Sequence, residues 1–457
     1  GGGASAFGEA AQAGPKPSEV AKPAKAAASS SKKAKAKQQA GPAQPKKAAK
    51  KAPAAAAGAG PAAPAKAPVS LPTTPVKFVA PVDVPGRQLE LGTDLQVPPD
   101  EAAWAEEGAF GDGGGWGTCQ TFCPHEEIAQ RQEEIGGIHG FEVDPETGEA
   151  RLEWCCTQFH RLAAGNAIPP PERVRPIPVL WRVVTFLLSD VLERDYRRPD
   201  GSAPPFPKAS ATWPEPGVPP LIDRYNFIRD RLRAVRQEIQ QQWSGRTPDG
   251  DYRPLSAPAK LCAVRMFERC ARFHILAEHH LCDLGVRNLG LDDAKFDAKM
   301  NMEQLSKTIV TLNEHYKDLA REGLACPYEA EFLSYNMLIE SDTSLVLSMM
   351  AQMDAPLRRS AHVRFALDVL LARETCDYTA FVRLLGSAGF FTACLMHRFL
   401  ERVRADALVR MGLALRDSAG RALEMPLDEL TGRLGFGSSE EVREFAEHYG
   451  LAATAQT

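Results

Sequence analysis

Apolar residues recur at helical spacing over much of the chain from about residue 177 onward. The first run has apolar side chains three or four residues apart, which predicts a buried helix face; its members are Leu180, Val183, Val184, Leu187, Leu188, Val191 and Leu192. A Pro-rich loop from 199 to 220 follows. The next predicted helix, from about 221 to 243, places Tyr225, Ile228, Leu232, Val235 and Ile239 on one face.

The same segment carries a basic stripe on its other faces. Four arginines form it: Arg229, Arg231, Arg233 and Arg236. They are either solvated or paired with acids of neighbouring helices.

Further amphipathic helices follow one another with short breaks. They are predicted near 257–282, 294–322, 326–340, 342–353, 357–374, 376–386 and 389–404. Consecutive helices with short links pair as hairpins in the manner of a solenoid, although no strict repeat is present. The pattern predicts an all-α, helical-repeat scaffold, and no catalytic constellation is visible between Arg229 and Leu408.

The end of the chain has a different pattern. A helix carrying Arg402, Arg404 and Arg410 leads to a short helix at 426–434, a turn and a second helix at 438–449. This helix-turn-helix layout looks like the helical half of a winged helix, with only about seven residues left for wing strands. The acidic start of the second helix argues against reading a nucleic-acid groove with that end.

Composition separates the first part of the chain from the rest. Residues 1–66 carry twelve Lys and two acids, a charge of +10, whereas the whole chain has −4, which leaves −14 for the remainder. Residues 1–98 are rich in Ala, Pro, Gly and Lys and cannot bury enough surface to fold. We therefore predict a disordered basic tail at 1–98, an irregular linker at 99–168, a helical-repeat scaffold at 169–408 and a winged-helix end at 409–457.

Candidate binding motifs of other kinds are weak. Gly111–Gly117 lacks the Lys and Ser or Thr of a phosphate loop. Zinc could use the spacings of two groups of residues about thirty positions apart: Cys119, Cys123 and His125, and Cys155, Cys156 and His160. Buried reduced thiols are nevertheless the favoured interpretation of these cysteines. His274, His279 and His280 form no metal motif, and the longest apolar stretches are interrupted by charge, so neither a cofactor nor a membrane segment is expected.

An ordered string of motifs resembles the Sac-three/GANP family from about Gly117 to Leu451. The string comprises Gly117-Thr-Cys119-x-x-x-Cys123-Pro124-x-x-Glu127, Arg175-Pro-x-Pro-Val-Leu180, Tyr225-x-Phe-x-x-Asp-Arg-x-Arg-Ala-Val-Arg236, Arg272-Phe-His274, Lys299-Met-Asn-x-Glu303, Glu329-Ala-Glu-Phe-x-x-Tyr-Asn336 and Ala393-Cys-Leu-x-His397. The resemblance implies the PCI-type fold of that family, that is, a helical-repeat domain ending in a winged helix. The chain is similar in this respect to the core subunit of the TREX-two messenger-RNA export complex.

The resemblance implies a non-catalytic scaffold located at the nucleus and nuclear pore. It would bind a second PCI-type subunit, a small acidic subunit, pore components and RNA, with the nucleic acid on arginines of the C-terminal end: Arg402, Arg404, Arg410, Arg433 and Arg443. Alternatively these arginines pair with Glu401, Asp406, Asp428 and Glu440. Two other functions stay open at this point, a centrosome or spindle assembly factor of the same family and a zinc-dependent enzyme.

Overall fold

The computed structural model describes most of the chain after residue 100. It covers residues 101–106, 108–134, 137–144, 147–161, 168–193, 221–282, 296–340, 342–416, 418, 420 and 424–451. The predicted basic tail, the Pro-rich loop at 199–220 and any wing strand after residue 451 lie outside these residues.

Thirteen α-helices form in the described part of the chain. They are α1 His125–Glu133, α2 Ile177–Thr185, α3 Leu221–Trp243, α4 Ala257–Leu281, α5 Ala298–Arg321, α6 Glu329–Ile339, α7 Thr343–Gln352, α8 Ala355–Arg358, α9 Ala361–Glu374, α10 Tyr378–Ser387, α11 Phe390–Ala414, α12 Leu427–Leu434 and α13 Ser439–His448. Two isolated β-bridges join short turns, and the same residues contain no β-strand. The prediction of an all-α, helical-repeat fold is confirmed.

Side-chain caps explain where several predicted helix bounds were wrong. Asp297 accepts a hydrogen bond from the Met300 backbone N–H, so α5 begins at Ala298 rather than near 294. Ser360 caps α9 through the Val363 N–H, which divides the single helix predicted at 357–374 into α8 and α9. Short polar caps of this kind satisfy the free N–H groups of a first helical turn.

The helix predicted to end at 404 runs on to Ala414. Its side chains join the main hydrophobic core as far as Leu400 and Val403, and they join a second, smaller cluster from Ala407 onward. Helix α11 is therefore continuous across the predicted boundary between residues 408 and 409, while its hydrophobic partners change there.

Helix α4 is the centre of the main core. It packs against α2, α3, α5 and α11, and apolar residues on all its sides are buried, from Ala259 to Leu281. A helix surrounded in this way needs internal partners for its polar groups. His274 finds one in the buried amide of Asn301, with 2.8 Å between Nδ1 and Oδ1.

The basic stripe on α3 is largely withdrawn from solvent. Arg231 is 6% exposed and lies 3.5 Å from a Glu142 carboxylate oxygen, whereas Arg236 is 9% exposed and donates to Gln304 and Thr308, which are neutral. Arg233 stacks on Phe159 with 3.9 Å from guanidinium carbon to ring centroid. Of the two alternatives, solvation does not describe Arg231 or Arg236, and pairing with an acid holds for Arg231 but not for Arg236.

The glycine-rich segment at 111–117 is a packing element. A side-chain carbon at Gly115 would lie 2.3 Å from the Gln242 Oε1 atom, and Gly115 has a φ of +113°. The same Gln242 oxygen accepts the Gly117 N–H at 3.1 Å. Glycine is therefore required for close approach to the end of α3.

No helix in the described ranges combines the length and the apolar character that crossing a lipid bilayer demands.

Candidate nucleic-acid interface at the C-terminal end

Helices α12 and α13 attach to the last turns of α11 through a small apolar cluster. Its buried members are Ala407, Leu408, Met411, Leu430, Leu434, Phe436, Val442 and Phe445. Gly435 ends α12 in a left-handed conformation with φ 63°, and Ser438 begins α13 by accepting the Glu441 N–H. Glycine and serine at these two positions give a tight turn between the helices.

Arg404 helps to hold this end together. Its guanidinium donates to the backbone carbonyls of Leu434 and Gly435 and lies 3.7 Å from the centroid of the Phe436 ring. Burial lowers its pKa to about 10. The expectation that Arg404 belongs to the nucleic-acid surface therefore has to be corrected, because its donors satisfy the free carbonyls at the end of α12.

The other four candidate arginines are exposed. Arg402 lies 3.6 Å from Asp406, Arg433 lies 2.5 Å from Glu429, and Arg443 lies 2.7 Å from Glu440, always within one helix. Arg410 is exposed and makes no ion pair with any described residue. Exposed pairs of this kind contribute about 0–1 kcal/mol, so they leave the arginines able to bind other anions.

The predicted pairing partners are only partly those observed. Asp406 and Glu440 pair as expected, but Arg433 uses Glu429 instead of Asp428. Asp428 instead accepts a hydrogen bond from the Ser439 hydroxyl, across the turn between α12 and α13.

Charge is distributed unevenly over these helices. Helix α13 exposes three glutamates, Glu440, Glu444 and Glu447, beside the single Arg443. Helix α11 instead exposes Arg402 and Arg410 together with two apolar residues, Val409 at 55% and Leu413 at 66%. An anionic ligand would be repelled by α13 and attracted to α11.

The N-terminal motif residues form a structural support away from these helices. Cys123 is fully buried beside Ile128 and Cys155, Cys119 is 7% exposed, and Pro124 immediately precedes α1. Glu127 accepts the Gln158 backbone N–H at 2.8 Å, which ties α1 to the segment carrying Cys155 and Cys156. The motif therefore positions a loop segment against the helical body.

The cysteines of this region are free thiols. Burial raises the pKa of Cys155 to about 11 and that of Cys156 to about 12, and it raises the pKa of Cys123 as well. The predicted burial of Cys119, Cys123, Cys155 and Cys156 is confirmed, and none of them forms a disulfide. No set of three potential metal ligands comes together within the part of the chain that the structure describes.

Buried ion pairs that the sequence pattern did not reveal fix this segment to α3. Arg175 is fully buried, and its backbone N–H and guanidinium both donate to the Glu238 carboxylate. Arg131 similarly pairs with Glu142, whose other oxygen accepts the Cys156 N–H at 3.0 Å. Spacing alone could not find these pairs, since their partners are distant along the chain.

Comparison with known proteins gives one family over most of the chain. The sequence model described as "SAC3/GANP family" matches residues 122–455. Protein xmas of Drosophila melanogaster is 28% identical over 342 residues, which are 73% of this chain and 14% of that protein.

Two further relatives are similar to the same extent. SAC3 family protein B of Arabidopsis thaliana is 27% identical over 345 residues, covering 74% of this chain and 18% of that protein. SAC3 family protein 1 of Schizosaccharomyces pombe is 29% identical over 355 residues, covering 73% and 30%. The chain thus spans less than a third of the length of each of these relatives.

Proposed function

Because the chain belongs to the SAC3/GANP family, we propose that it is a scaffold subunit of a nuclear messenger-RNA export complex. The family consists of non-enzymatic scaffolds linked to messenger-RNA export, and its members are nuclear-associated. In this proposal α11, α12 and α13 bind a second PCI-type subunit with its small acidic subunit, RNA binds beside them, and the assembly acts at the nuclear pore.

The exposed face of α11 is the observation that carries the proposal. Val409 and Leu413 are four residues apart and therefore adjacent on the helix surface, and Arg402 and Arg416 extend the same line in both directions. Burying an exposed Val or Leu stabilises a complex by about 1.5–3 kcal/mol. Apolar side chains bordered by arginine have the composition that protein interfaces favour.

Co-purification with the partner subunits tests this proposal. We expect the double substitution Val409→Asp and Leu413→Asp to abolish co-purification of the full chain with the PCI-type subunit, because it places two charges in the interface. The matched control is Leu345→Asp with Leu347→Asp on α7, where the side chains are 51% and 60% exposed. Partner binding that survives the α11 substitutions would refute docking on this face.

A further inference from the structure

A second arginine-lined surface includes Arg402 and extends along α11 towards its N-terminus, away from Arg410. It is a groove of about 440 Å³ between the end of α9, the turn into α10 and the middle of α11. Three arginines and two acids line it together with Phe399; the charged residues are Arg373, Arg398, Arg402, Glu374 and Asp406. The guanidinium of Arg373 lies 4.9 Å from the centroid of the Phe399 ring.

Two arginines of this groove, Arg398 and Arg402, are available to a ligand. Arg398 is exposed and has no ion-pair contact among the residues that the structure describes; partial burial lowers the pKa of its guanidinium, and the charge of Glu278 offsets part of that effect. The Arg402 side chain is 86% exposed at 3.6 Å from Asp406, whereas the Arg373 side chain is 17% exposed and pairs with its neighbour Glu374. An exposed pair such as that of Arg402 is weak, whereas a phosphate accepts two parallel hydrogen bonds from one guanidinium.

A larger arginine-lined cleft elsewhere lacks this property. The cleft of about 580 Å³ beside α4 contains Arg265 and Arg272, with side chains only 17% and 13% exposed. Carboxylates of Glu101, Glu268 and Glu331 already bind these guanidiniums. Arginine content therefore does not distinguish the groove; the exposure of Arg398 and Arg402 does.

The spacing and residue type in the groove suit a single strand of nucleic acid. Arg398 and Arg402 are four residues apart, about 6 Å along the helix axis. All thirteen basic residues from 355 to 451 are arginine and none is lysine, and the planar guanidinium both binds phosphate bidentately and stacks on bases. Proteins that bind single strands combine a basic groove with flat stacking surfaces.

We propose that this groove binds single-stranded RNA, with Arg398 and Arg402 contacting successive phosphates beside the Phe399 ring, against which Arg373 is held. The inference rests on the proposed function in that it names where RNA is bound. The nucleic-acid surface of α11 would then run from Arg410 back to Arg398.

The test is titration of the full chain with a labelled 20-nucleotide oligouridylate, followed by fluorescence anisotropy at several salt concentrations. Replacing Arg398 and Arg402 by Gln should weaken binding about tenfold. Each lost phosphate contact lowers the slope of log affinity against log salt by about 0.7 for a single strand, so the pair should lower it by about 1.4. The matched control is Arg253→Gln with Arg321→Gln, two arginines that are also exposed and also paired with nearby acids.

The outcomes separate the two proposals. Failure of the unsubstituted chain to bind the RNA would overturn RNA binding in the proposed function together with the groove. Normal binding and an unchanged salt slope in the Arg398 and Arg402 variant would overturn the groove alone. Displacement of the RNA by polyglutamate at equal charge would assign the groove to an acidic protein segment instead. A melting temperature of the Arg398 and Arg402 variant equal to that of the parent excludes misfolding as the cause of weaker binding.

Discussion

Arginine occupies three different environments in this molecule, and each has a different consequence. Arg175 and Arg236 are buried and hold elements together, Arg404 binds the end of a neighbouring helix, and Arg402 and Arg410 face solvent. A buried guanidinium contributes to folding through its hydrogen bonds, while an exposed one is free to bind an anion. Substitutions of the same type should therefore affect different properties.

Replacing Arg404 by Ala should lower the free energy of unfolding by about 2 kcal/mol, because hydrogen bonds to a charged group contribute about 1.5–3 kcal/mol. Its two carbonyl acceptors and the Phe436 ring would lose their partner. Chemical denaturation measures the change. The control, Arg410→Ala, removes an exposed side chain and should stay within about 0.5 kcal/mol of the parent. Equal stability of the two variants would contradict the structural role of Arg404.

Helix starts are encoded locally by short polar side chains. Six helices begin after a Ser or Asp whose side chain accepts a backbone N–H of the first turn; these residues are Ser256, Asp297, Asp342, Ser360, Asp377 and Ser438. The helices and their order could therefore be predicted from apolar spacing and polar caps. Neither signal shows what a helix packs against.

The sequence prediction failed where the outcome depends on what a helix packs against. The sequence predicted a helix at 389–404 and a helix carrying Arg402, Arg404 and Arg410 as separate features, whereas one helix, α11, carries both and packs against two clusters in turn. Arg404 was grouped with Arg402 and Arg410 because all three lie on one helix, whereas its carbonyl acceptors are some thirty residues further along the chain. The arginine groove was missed because Arg373 and Arg398 belong to different helices.

The histidines buried around α4 give the fold a pH dependence. Burial lowers the pKa of His274 to about 3, and it lowers the pKa of His279 and His315 to about 4. Near pH 5 the unfolded chain binds protons at these sites, where the usual pKa is about 6.5, and the folded chain does not. The contribution of these histidines to the free energy of unfolding is therefore fully present above about pH 6.5, and it is lost as the pH falls towards 4.

We expect the free energy of unfolding to fall between pH 6.5 and 5 by up to about 1.4 kcal/mol per pH unit for each of these histidines. His274→Gln should reduce that slope by the contribution of one proton. Urea denaturation at a series of pH values measures it. The control is His362→Gln, which changes an exposed histidine; the prediction fails if the two variants have the same slope.

Among the described residues, the main hydrophobic cluster and the C-terminal cluster differ in size and share helix α11. The main cluster takes residues from Phe110 to Leu400, and the smaller one from Ala407 to Phe445. The ion pairs that bind Arg175 and Arg272 lie entirely within the part before α11. Loss of α12 and α13 would thus remove one cluster and leave the contacts of the other in place.

A chain ending after Arg416 should therefore fold, with a melting temperature near that of the full chain. It should fail to bind the PCI-type subunit, because α12 and α13 support the docking face of α11. Calorimetry and co-purification measure the two properties. The truncation also exposes Leu408 and Met411, so a second variant is needed: Leu434→Asp with Phe445→Asp disrupts the small cluster in the full-length chain. If either variant unfolds the main core, the two clusters are one cooperative unit; if either retains the partner, docking does not require α12 and α13.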